Sequence, residues 1–84
     1  MKYKAAIDIM PLKDLLDPQG KTVTKNLSNI DISGIEDVRI GKHIEMVFEA
    51  NDEKDAKDMV ESACKKLLAN VIMETYSFQL SSLN

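Results

Sequence analysis

The fold is decided by residues 43–68, HIEMVFEANDEKDAKDMVESACKKLL, in which one hydrophobic period gives way to another. The first part alternates apolar and polar side chains up to Ala50, which is typical of a half-buried strand. From Ala56 onward the apolar residues follow the 3.6-residue period of an amphipathic helix. Seven positions form that stripe: Ala56, Met59, Val60, Ala63, Cys64, Leu67 and Leu68. Asn51 or Asp52 is expected to cap the helix, so the stretch predicts a strand followed directly by a helix.

Further elements flank this unit on both sides. Residues 3–9 alternate in the same way and predict a first strand, and residues 72–80 predict a last one. Pro18 suits the first turn of a helix, and Gly34 supplies a stop beyond a narrow apolar stripe. That stripe consists of Val23, Leu27 and Ile30.

The residues on both sides of Gly41 also alternate. Residues 38–50 are therefore expected to form two antiparallel strands or one long bent strand, because glycine permits a tight turn or bulge. The resulting order, β-α-β-β-α-β, predicts one α+β domain over residues 1–84. A four-stranded antiparallel sheet with two helices on one face would make it a ferredoxin-like sandwich.

Charge and cysteine content restrict the function classes. A net charge of −3 gives no basic footprint for nucleic acid, so no nucleic-acid partner is expected. The single cysteine and the absence of a Cys/His cluster argue against a zinc site and favour a reducing, cytoplasmic location. The alternating N-terminal residues predict neither a signal peptide nor a membrane span.

Few residues are candidates for catalysis. His43 has no serine or cysteine beside it in sequence, so a solvent-facing histidine is a simpler interpretation than a general base. Cys64 falls on the buried stripe, where apolar surroundings raise a thiol pKa, and is interpreted as a core residue. The acidic run 52–58 alternates with lysines and lacks the glycine-punctuated loop of an EF-hand. We expect no catalytic residue, cofactor site or metal site in this chain.

Two segments and one sheet face are candidate contact surfaces. Residues 16–20, Leu-Asp-Pro-Gln-Gly, are expected to cap a helix. The alternative is that they bind a partner in addition to capping the helix. Residues 37–42 place two cations beside the expected turn, either for solubility or for the rim of an interface. On the sheet face away from the helices, parity predicts a dimer face made of Ala6, Met10, Val47 and Met73.

Together these segments resemble the PurS family, the small subunit of phosphoribosylformylglycinamidine synthase. The resemblance is nearly full-length and rests on residues 16–20, 38–42 and 64–70, the last followed by Glu74 and Tyr76. It implies structural or partner-contacting roles, not catalytic ones, for the matching residues Asp17, Pro18, Gly20, Arg39, Gly41, Lys42, Asn70 and Tyr76.

What the resemblance implies is a non-catalytic role within a ligase of purine biosynthesis. The family's complex converts formylglycinamide ribonucleotide to formylglycinamidine ribonucleotide with glutamine and ATP. A glutaminase (PurQ-type) chain releases ammonia, and a synthetase (PurL-type) chain uses ATP and magnesium. The small subunit would bridge these chains as a homodimer or tetramer. The sequence departs from the family at Val71, where proline is frequent, and over residues 31–34.

Two other classes share the expected element order. A ligand-sensing dimer of the ACT type is the main alternative, and a free amino acid would stabilise such a protein by binding its native state. A hydrolase similar to acylphosphatase is disfavoured, because that family depends on an arginine in the loop after the first strand. Residues 11–20 contain no arginine.

Overall fold

A computed structural model describes residues 1–12 and 18–83 of the chain. The three strands form an antiparallel sheet in the order β2-β1-β3, so the first strand is central. In chain order the elements are β1 (Lys2–Pro11), α1 (Pro18–Asn29), β2 (Lys42–Glu49), α2 (Glu53–Ala63), a π-helical turn (Cys64–Leu68) and β3 (Glu74–Ser82).

The hydrophobic core lies on one face of β1. Every second residue of this strand is buried, as its alternation predicts: Tyr3, Ala5, Ile7 and Ile9. The register continues this face across the sheet, since Ile7 lies opposite Ile44 of β2 and Phe78 of β3. The apolar residues of the two outer strands are only partly buried, because they pack against the margin of the core.

Helix α2 covers this face through residues spaced four apart, and Ala56, Val60 and Cys64 have no exposed surface. Its start is capped by Asp52, as one of the two predicted options, since the Asp52 carboxylate accepts a 2.8 Å hydrogen bond from the Asp55 N–H. The sheet and this helix are therefore held together by one continuous apolar stripe.

After Cys64 the predicted stripe fails at Leu67, whereas Leu68 is half-buried and packs against the core as predicted. The Ala69 N–H donates to the Cys64 carbonyl over 3.0 Å, a bond that spans five residues and widens the turn. A wider turn rotates the following side chains away from the 3.6-residue period. Leu67 is consequently 82% exposed, although periodicity predicts it in the core.

The predicted fourth strand is absent from the described sheet. Residues 32–41 have no regular secondary structure, and β2 begins only at Lys42. Gly41 does not adopt a positive φ, contrary to the expected turn; instead a β-carbon there would overlap the Ile9 carbonyl oxygen and the Met10 sulfur. Glycine is needed because the chain passes directly against β1. The predicted α+β class is confirmed, with three antiparallel strands in the described order β-α-β-α-β.

Helix α1 begins at Pro18, as predicted, but it ends before Gly34. Asp31 adopts a left-handed conformation with φ 64°, and the Ile32 N–H donates to the Leu27 carbonyl over 3.0 Å, which closes the helix in a Schellman-type cap. Among the described residues the buried core contains side chains of α2 and none of α1.

The described chain is flat and elongated, measuring 51 × 27 × 15 Å. Its radius of gyration is 16.6 Å, whereas a compact domain of this length has about 12 Å. Its accessible surface is 6213 Å², compared with about 5,000 Å² for a typical monomer of 9.4 kDa. A chain with this shape leaves an unusually large surface for contact with other molecules.

Candidate functional site at the end of the sheet

Five of the eight residues singled out by the resemblance meet at one end of the sheet, where β1 ends and β2 and β3 begin. Two register pairs define this end, because Ile9 lies opposite both Lys42 and Tyr76. We call the group the sheet-end cluster, and it consists of Arg39, Gly41, Lys42, Asn70 and Tyr76.

Arg39 and Gly41 attach the segment before β2 to the end of β1. The Arg39 guanidinium donates a hydrogen bond to the Pro11 carbonyl, and the side chain is half-buried. Gly41 fits against the backbone of Ile9, where no larger residue has room. These two contacts fix the path by which the chain enters β2.

Lys42 connects three elements. Its Nζ lies 3.4 Å from the Leu68 carbonyl oxygen in the π-helical turn and 3.8 Å from Oε2 of Glu74 on β3. Half of its side chain remains exposed, so the ammonium group is also available to a partner. The cation therefore links the edge of the sheet to the end of α2 and still faces solvent.

Asn70 organises the turn that leads into β3. Its N–H donates to Glu74 Oε1 over 2.8 Å, and its Oδ1 accepts from the Ile72 N–H over 3.1 Å. Its carbonyl accepts from the N–H groups of Met73 and Glu74, at 3.0 and 2.7 Å. The Leu12 N–H in turn donates to the Met73 carbonyl over 2.9 Å. Hydrogen bonds thus hold this turn from both ends.

Tyr76 joins β3 to α2. Its hydroxyl donates to Oε2 of Glu61 over 2.6 Å, and Lys65 Nζ lies 3.9 Å from the same oxygen. The hydrogen bond to the carboxylate raises the pKa of Tyr76 to about 12. Tyr76 also lines a surface cleft of about 530 Å³, together with Lys65, Val71, Glu74 and Thr75.

The remaining family-pattern residues lie on or before α1. Asp17, predicted to cap this helix, lies outside the described residues. Pro18 is the first residue of the helix, and Gly20 is buried, its carbonyl accepting from Thr24 Oγ1 over 2.9 Å. A second cleft, of about 480 Å³, is lined by α1 residues and by Ile40, the residue before Gly41. At this cleft, α1 lies next to the chain segment that enters the sheet-end cluster.

The predicted dimer face is more polar than parity suggests. Ala6, Met10 and Val47 lie on the strand face opposite the core, but Val47 pairs with Lys4 and Ala6 pairs with Glu45. Met73 precedes β3, which starts at Glu74, and the strand predicted from residue 72 is therefore shorter. The four residues do not form a continuous apolar strip along the described strands.

His43 is exposed, as predicted, but it is engaged with two carboxylates. Its Nδ1 lies 2.6 Å from Asp8 Oδ1 and its Nε2 lies 3.2 Å from Glu45 Oε2. These hydrogen bonds, with Asp8 the larger contributor, raise the pKa of His43, and the histidine together with Lys4 lowers the pKa of Glu45. Only the strand register reveals the contact with Asp8, since the two residues are far apart in sequence.

Two carboxylates of the site were not predicted as site residues, although the resemblance to the family includes Glu74. Glu61 and Glu74 hold Tyr76, Lys42 and Asn70 in place, yet each looks locally like an ordinary surface residue. The Glu61–Lys65 spacing of four residues predicts only a helix-surface ion pair, which is present at 3.9 Å. Their role becomes visible only when α2 and β3 are packed together.

The polar groups of the site mainly form hydrogen bonds and ion pairs with one another. The described part of the chain contains no group of three or more His, Cys, Asp or Glu side chains placed to hold a metal ion. No described helix is both long and apolar enough to cross a membrane. The observed hydrogen bonds and ion pairs position one element against another, which is suited to presenting a rigid surface.

Fold and site together define a small α+β domain built for contact with other chains. Comparison with known proteins agrees: the sequence model of PurS, phosphoribosylformylglycinamidine (FGAM) synthase, matches residues 4–82. The chain belongs to the PurS family.

Individual relatives extend over nearly the whole chain. The FGAM synthase subunit PurS of Synechocystis is 37% identical over 96% of this chain and 81% of its own length. The Bacillus subtilis PurS subunit is 36% identical, covering 93% of this chain and 92% of the relative. A chain in the structure of PurLQS from Thermotoga maritima superposes with a TM-score of 0.87 at 30% identity, covering 96% and 99% of the two chains.

Proposed function

We propose that this chain is the non-catalytic small subunit of an FGAM synthase complex, in which it bridges a PurQ-type glutaminase chain and a PurL-type synthetase chain. The complex makes formylglycinamidine ribonucleotide from formylglycinamide ribonucleotide, glutamine and ATP. A similar chain occurs in PurLQS of Thermotoga maritima, which supports these partners. The proposal treats residues 1–84 as a single domain working in the cytoplasm.

The observation that carries the proposal is the excess of exposed surface. The described chain exposes roughly 1,200 Å² more than a compact monomer of its mass would. This excess is larger than the area that each partner contributes to a standard protein interface, which is about 800 Å². A subunit of this shape has enough free surface to contact more than one other chain.

Bridging gives the subunit a physical role without chemistry of its own. Ammonia released at one active site must reach the other before water dilutes it, so the junction between the two larger chains has to be closed and correctly aligned. ATP and magnesium then act on the synthetase chain. The small subunit contributes by holding the two sites in register.

The decisive experiment compares two nitrogen sources. With the glutaminase and synthetase chains present, adding this chain should restore synthesis from glutamine, whereas synthesis from concentrated free ammonia should need it much less. Alone, it should hydrolyse neither glutamine nor ATP. Glutamine-dependent synthesis that proceeds equally well without this chain would refute the proposal.

Self-association is part of the proposal, as a homodimer or tetramer. Light scattering at micromolar concentration should give a mass at least twice that of the chain. If the face opposite the core is the interface, Val47→Glu should lower that mass, because Val47 is 58% exposed on this face. A monomer mass for the unmodified chain would contradict this part of the proposal.

The ACT-like sensing dimer is not favoured, because the family match covers residues 4–82. It predicts that an amino acid raises the melting temperature through binding to the native state. A screen of the free amino acids by thermal denaturation should show no such shift.

A further inference from the structure

Strand β3 lies at the edge of the described sheet, where it pairs with β1 on one side. Two hydrogen bonds beyond its ends show which residues face β1. The Leu83 N–H donates to the Lys2 carbonyl over 2.8 Å, and the Met73 carbonyl accepts from Leu12 over 2.9 Å. Odd-numbered residues thus bond to β1, and even-numbered residues direct their N–H and C=O groups away from it. Three residues in the middle of the strand present these groups along the outer edge: Tyr76, Phe78 and Leu80.

This edge lacks the features by which proteins protect exposed strands. Edge strands are usually shielded by charged side chains, proline or bulges. The other edge strand of the described sheet, β2, carries four ionisable residues: Lys42, His43, Glu45 and Glu49. By contrast, β3 contains neither proline nor glycine over its nine residues, and its only charged residue is Glu74 at the first position. The edge of β3 is therefore suited to pairing with another strand.

The strand fits a second copy of itself. Phe78 lies at its midpoint, so an antiparallel two-fold pair centred on Phe78 would align the whole strand with its copy. In that register Phe78 forms a hydrogen-bonded pair with its counterpart, and Tyr76 forms one with Leu80. The side chains of these three residues are only partly buried at the margin of the core. The same residues of a second copy would cover them.

The segments beyond the two ends of β3 are complementary as well. Met73 and Leu83 lie at equal distances before and after Phe78 in the sequence, and they are 50% and 49% exposed. A pair centred on Phe78 would place Met73 of one copy opposite Leu83 of the other, twice by symmetry. The arrangement that pairs the strand therefore also pairs two exposed apolar side chains. This match favours a second copy over an unrelated strand.

The charges near β3 permit a symmetric contact. At the start of the strand, Lys42 lies 3.8 Å from Glu74. Lys65 lies 3.9 Å from Glu61, so these acidic and basic side chains form two balanced pairs. Antiparallel pairing brings the Lys65 end of one copy to the other end of its counterpart, where Glu53 lines a cleft. The two copies of Glu74 would be about 27 Å apart along the strands, well beyond the Debye length of about 8 Å.

We propose that β3 pairs antiparallel with β3 of a second copy about a two-fold axis at Phe78, which joins two three-stranded sheets into one continuous sheet. The inference rests on the self-association that is part of the proposed function, and it identifies the interface. The contact lies at the sheet edge, and not on the face opposite the core that carries Val47.

Disulfide cross-linking tests the register. Ser77 and Gln79 are exposed, so both positions tolerate substitution. Ser77 of one copy lies opposite Gln79 of the other in a non-hydrogen-bonded pair, with Cα atoms about 4.5 Å apart, which suits a disulfide. Identical positions are about 8 Å apart, which is too far. Mild oxidation should therefore cross-link a mixture of Ser77→Cys and Gln79→Cys chains, but neither chain alone.

The control for random cross-linking is Asn26→Cys, at an exposed position of α1. Mixed with Gln79→Cys, it should give little product. Absence of product from the Ser77→Cys and Gln79→Cys mixture, or an equal yield from the control mixture, would overturn the proposed register.

A pair of charge variants tests the same contact without cross-linking. Ser77→Lys combined with Gln79→Lys places like charges opposite each other and should weaken the dimer at least tenfold. Ser77→Lys combined with Gln79→Glu places unlike charges there and should keep the dissociation constant within about threefold of the original. Both variants alter the same two exposed positions, so their comparison isolates the interface. Sedimentation gives the dissociation constants, and equal values for the two variants would contradict the proposal.

The outcomes separate this inference from the proposed function. If the unmodified chain is a dimer that Val47→Glu dissociates while the two charge variants behave alike, this inference is wrong and self-association stands. If the unmodified chain is a monomer at micromolar concentration, self-association and this inference both fail, and glutamine-dependent synthesis still tests the bridging role. If the cross-link forms and the chain has no effect on synthesis, this inference stands and the bridging role fails.

Discussion

The hydroxyl of Tyr76 on β3 donates a 2.6 Å hydrogen bond to Glu61 on α2 and so ties the helix to the edge of the sheet. Tyr76→Phe keeps the ring and removes only this bond, and it should lower the melting temperature at pH 7. The raised pKa of about 12 compares with an ordinary value near 10. The contribution is therefore complete below about pH 10 and is lost as the pH rises through 12.

Two measurements check this prediction. Absorbance titration should show Tyr76 ionising at a higher pH than its ordinary value near 10, and this high-pH step should be missing in Tyr76→Phe. Thermal denaturation should show the difference between Tyr76→Phe and the unmodified chain narrowing between pH 9 and pH 11.5. Equal melting temperatures at pH 7 would mean that the bond does not stabilise the domain.

Substitution is predicted to destabilise the fold at Gly41 but to be nearly neutral at Gly34. Gly41→Ala introduces a β-carbon against the Ile9 carbonyl and the Met10 sulfur, so it should lower the free energy of unfolding by about 1–3 kcal/mol. Gly34 has φ 84° and open space around it. Gly34→Asn should be nearly neutral, because asparagine tolerates this conformation. Urea denaturation of both variants decides the matter, and a neutral Gly41→Ala would contradict the close packing described.

The elements predicted correctly are those whose burial is fixed by local pattern. The strand containing Ile7 and the helix containing Val60 were predictable, because each buries one regular face against the other. Residues 38–40 alternate equally well, yet they lie outside the sheet. Alternation shows that a segment is extended, but strand pairing also requires a neighbouring edge, which local sequence does not reveal.

The site was predictable in part and for a different reason. Lys42 and Asn70 came from the resemblance to a family, and their contacts depend on Glu74, which the resemblance includes but to which it assigns no role. The exposure of Ile72 depends on the exact start of β3. Long-range packing fixes such features, and hydrophobic period alone does not.

Cys64 is predicted to be a quiet core residue. Burial, followed by the nearby Glu61 charge, raises the pKa of its thiol, so little thiolate is available at neutral pH. Cys64→Ala should reduce the free energy of unfolding by about 1–2 kcal/mol through a small cavity, and should leave complex activity intact.

Labelling of this only cysteine gives a direct readout. A thiol reagent should modify the native chain far more slowly than the urea-unfolded chain. Rapid labelling of the native protein would show that the thiol is accessible, contrary to its position in the core.

The contact of His43 with Asp8 and Glu45 predicts a dependence of stability on pH. Its folded pKa is raised above the ordinary value of 6.5, so the charged ring stabilises the folded state below that pH. The contribution is lost as the pH rises through the folded pKa. The urea midpoint should therefore fall as the pH rises above 6.5, and His43→Gln should remove this part of the fall. If the urea midpoint of His43→Gln falls by the same amount over this pH range, the pH dependence comes from other groups.

The two cations of the sheet-end cluster are predicted to differ in what they support. Arg39 is half-buried and donates to the Pro11 carbonyl, so Arg39→Gln should lower the free energy of unfolding by about 1–2 kcal/mol. Lys42 is 54% exposed and its ion pair with Glu74 is long, so Lys42→Gln should change stability by less than about 1 kcal/mol.

If Lys42 also contacts a larger chain, Lys42→Gln should reduce glutamine-dependent synthesis while ammonia-dependent synthesis stays near its original rate. Lys25→Gln, on the exposed side of α1, is the control and should change neither activity. A general loss of folding lowers every activity that needs the subunit. The ratio of glutamine-dependent to ammonia-dependent synthesis should therefore be measured at a temperature where all variants are folded. This ratio separates partner contact from stability. A ratio for Lys42→Gln equal to that of Lys25→Gln would restrict Lys42 to its contacts within the chain.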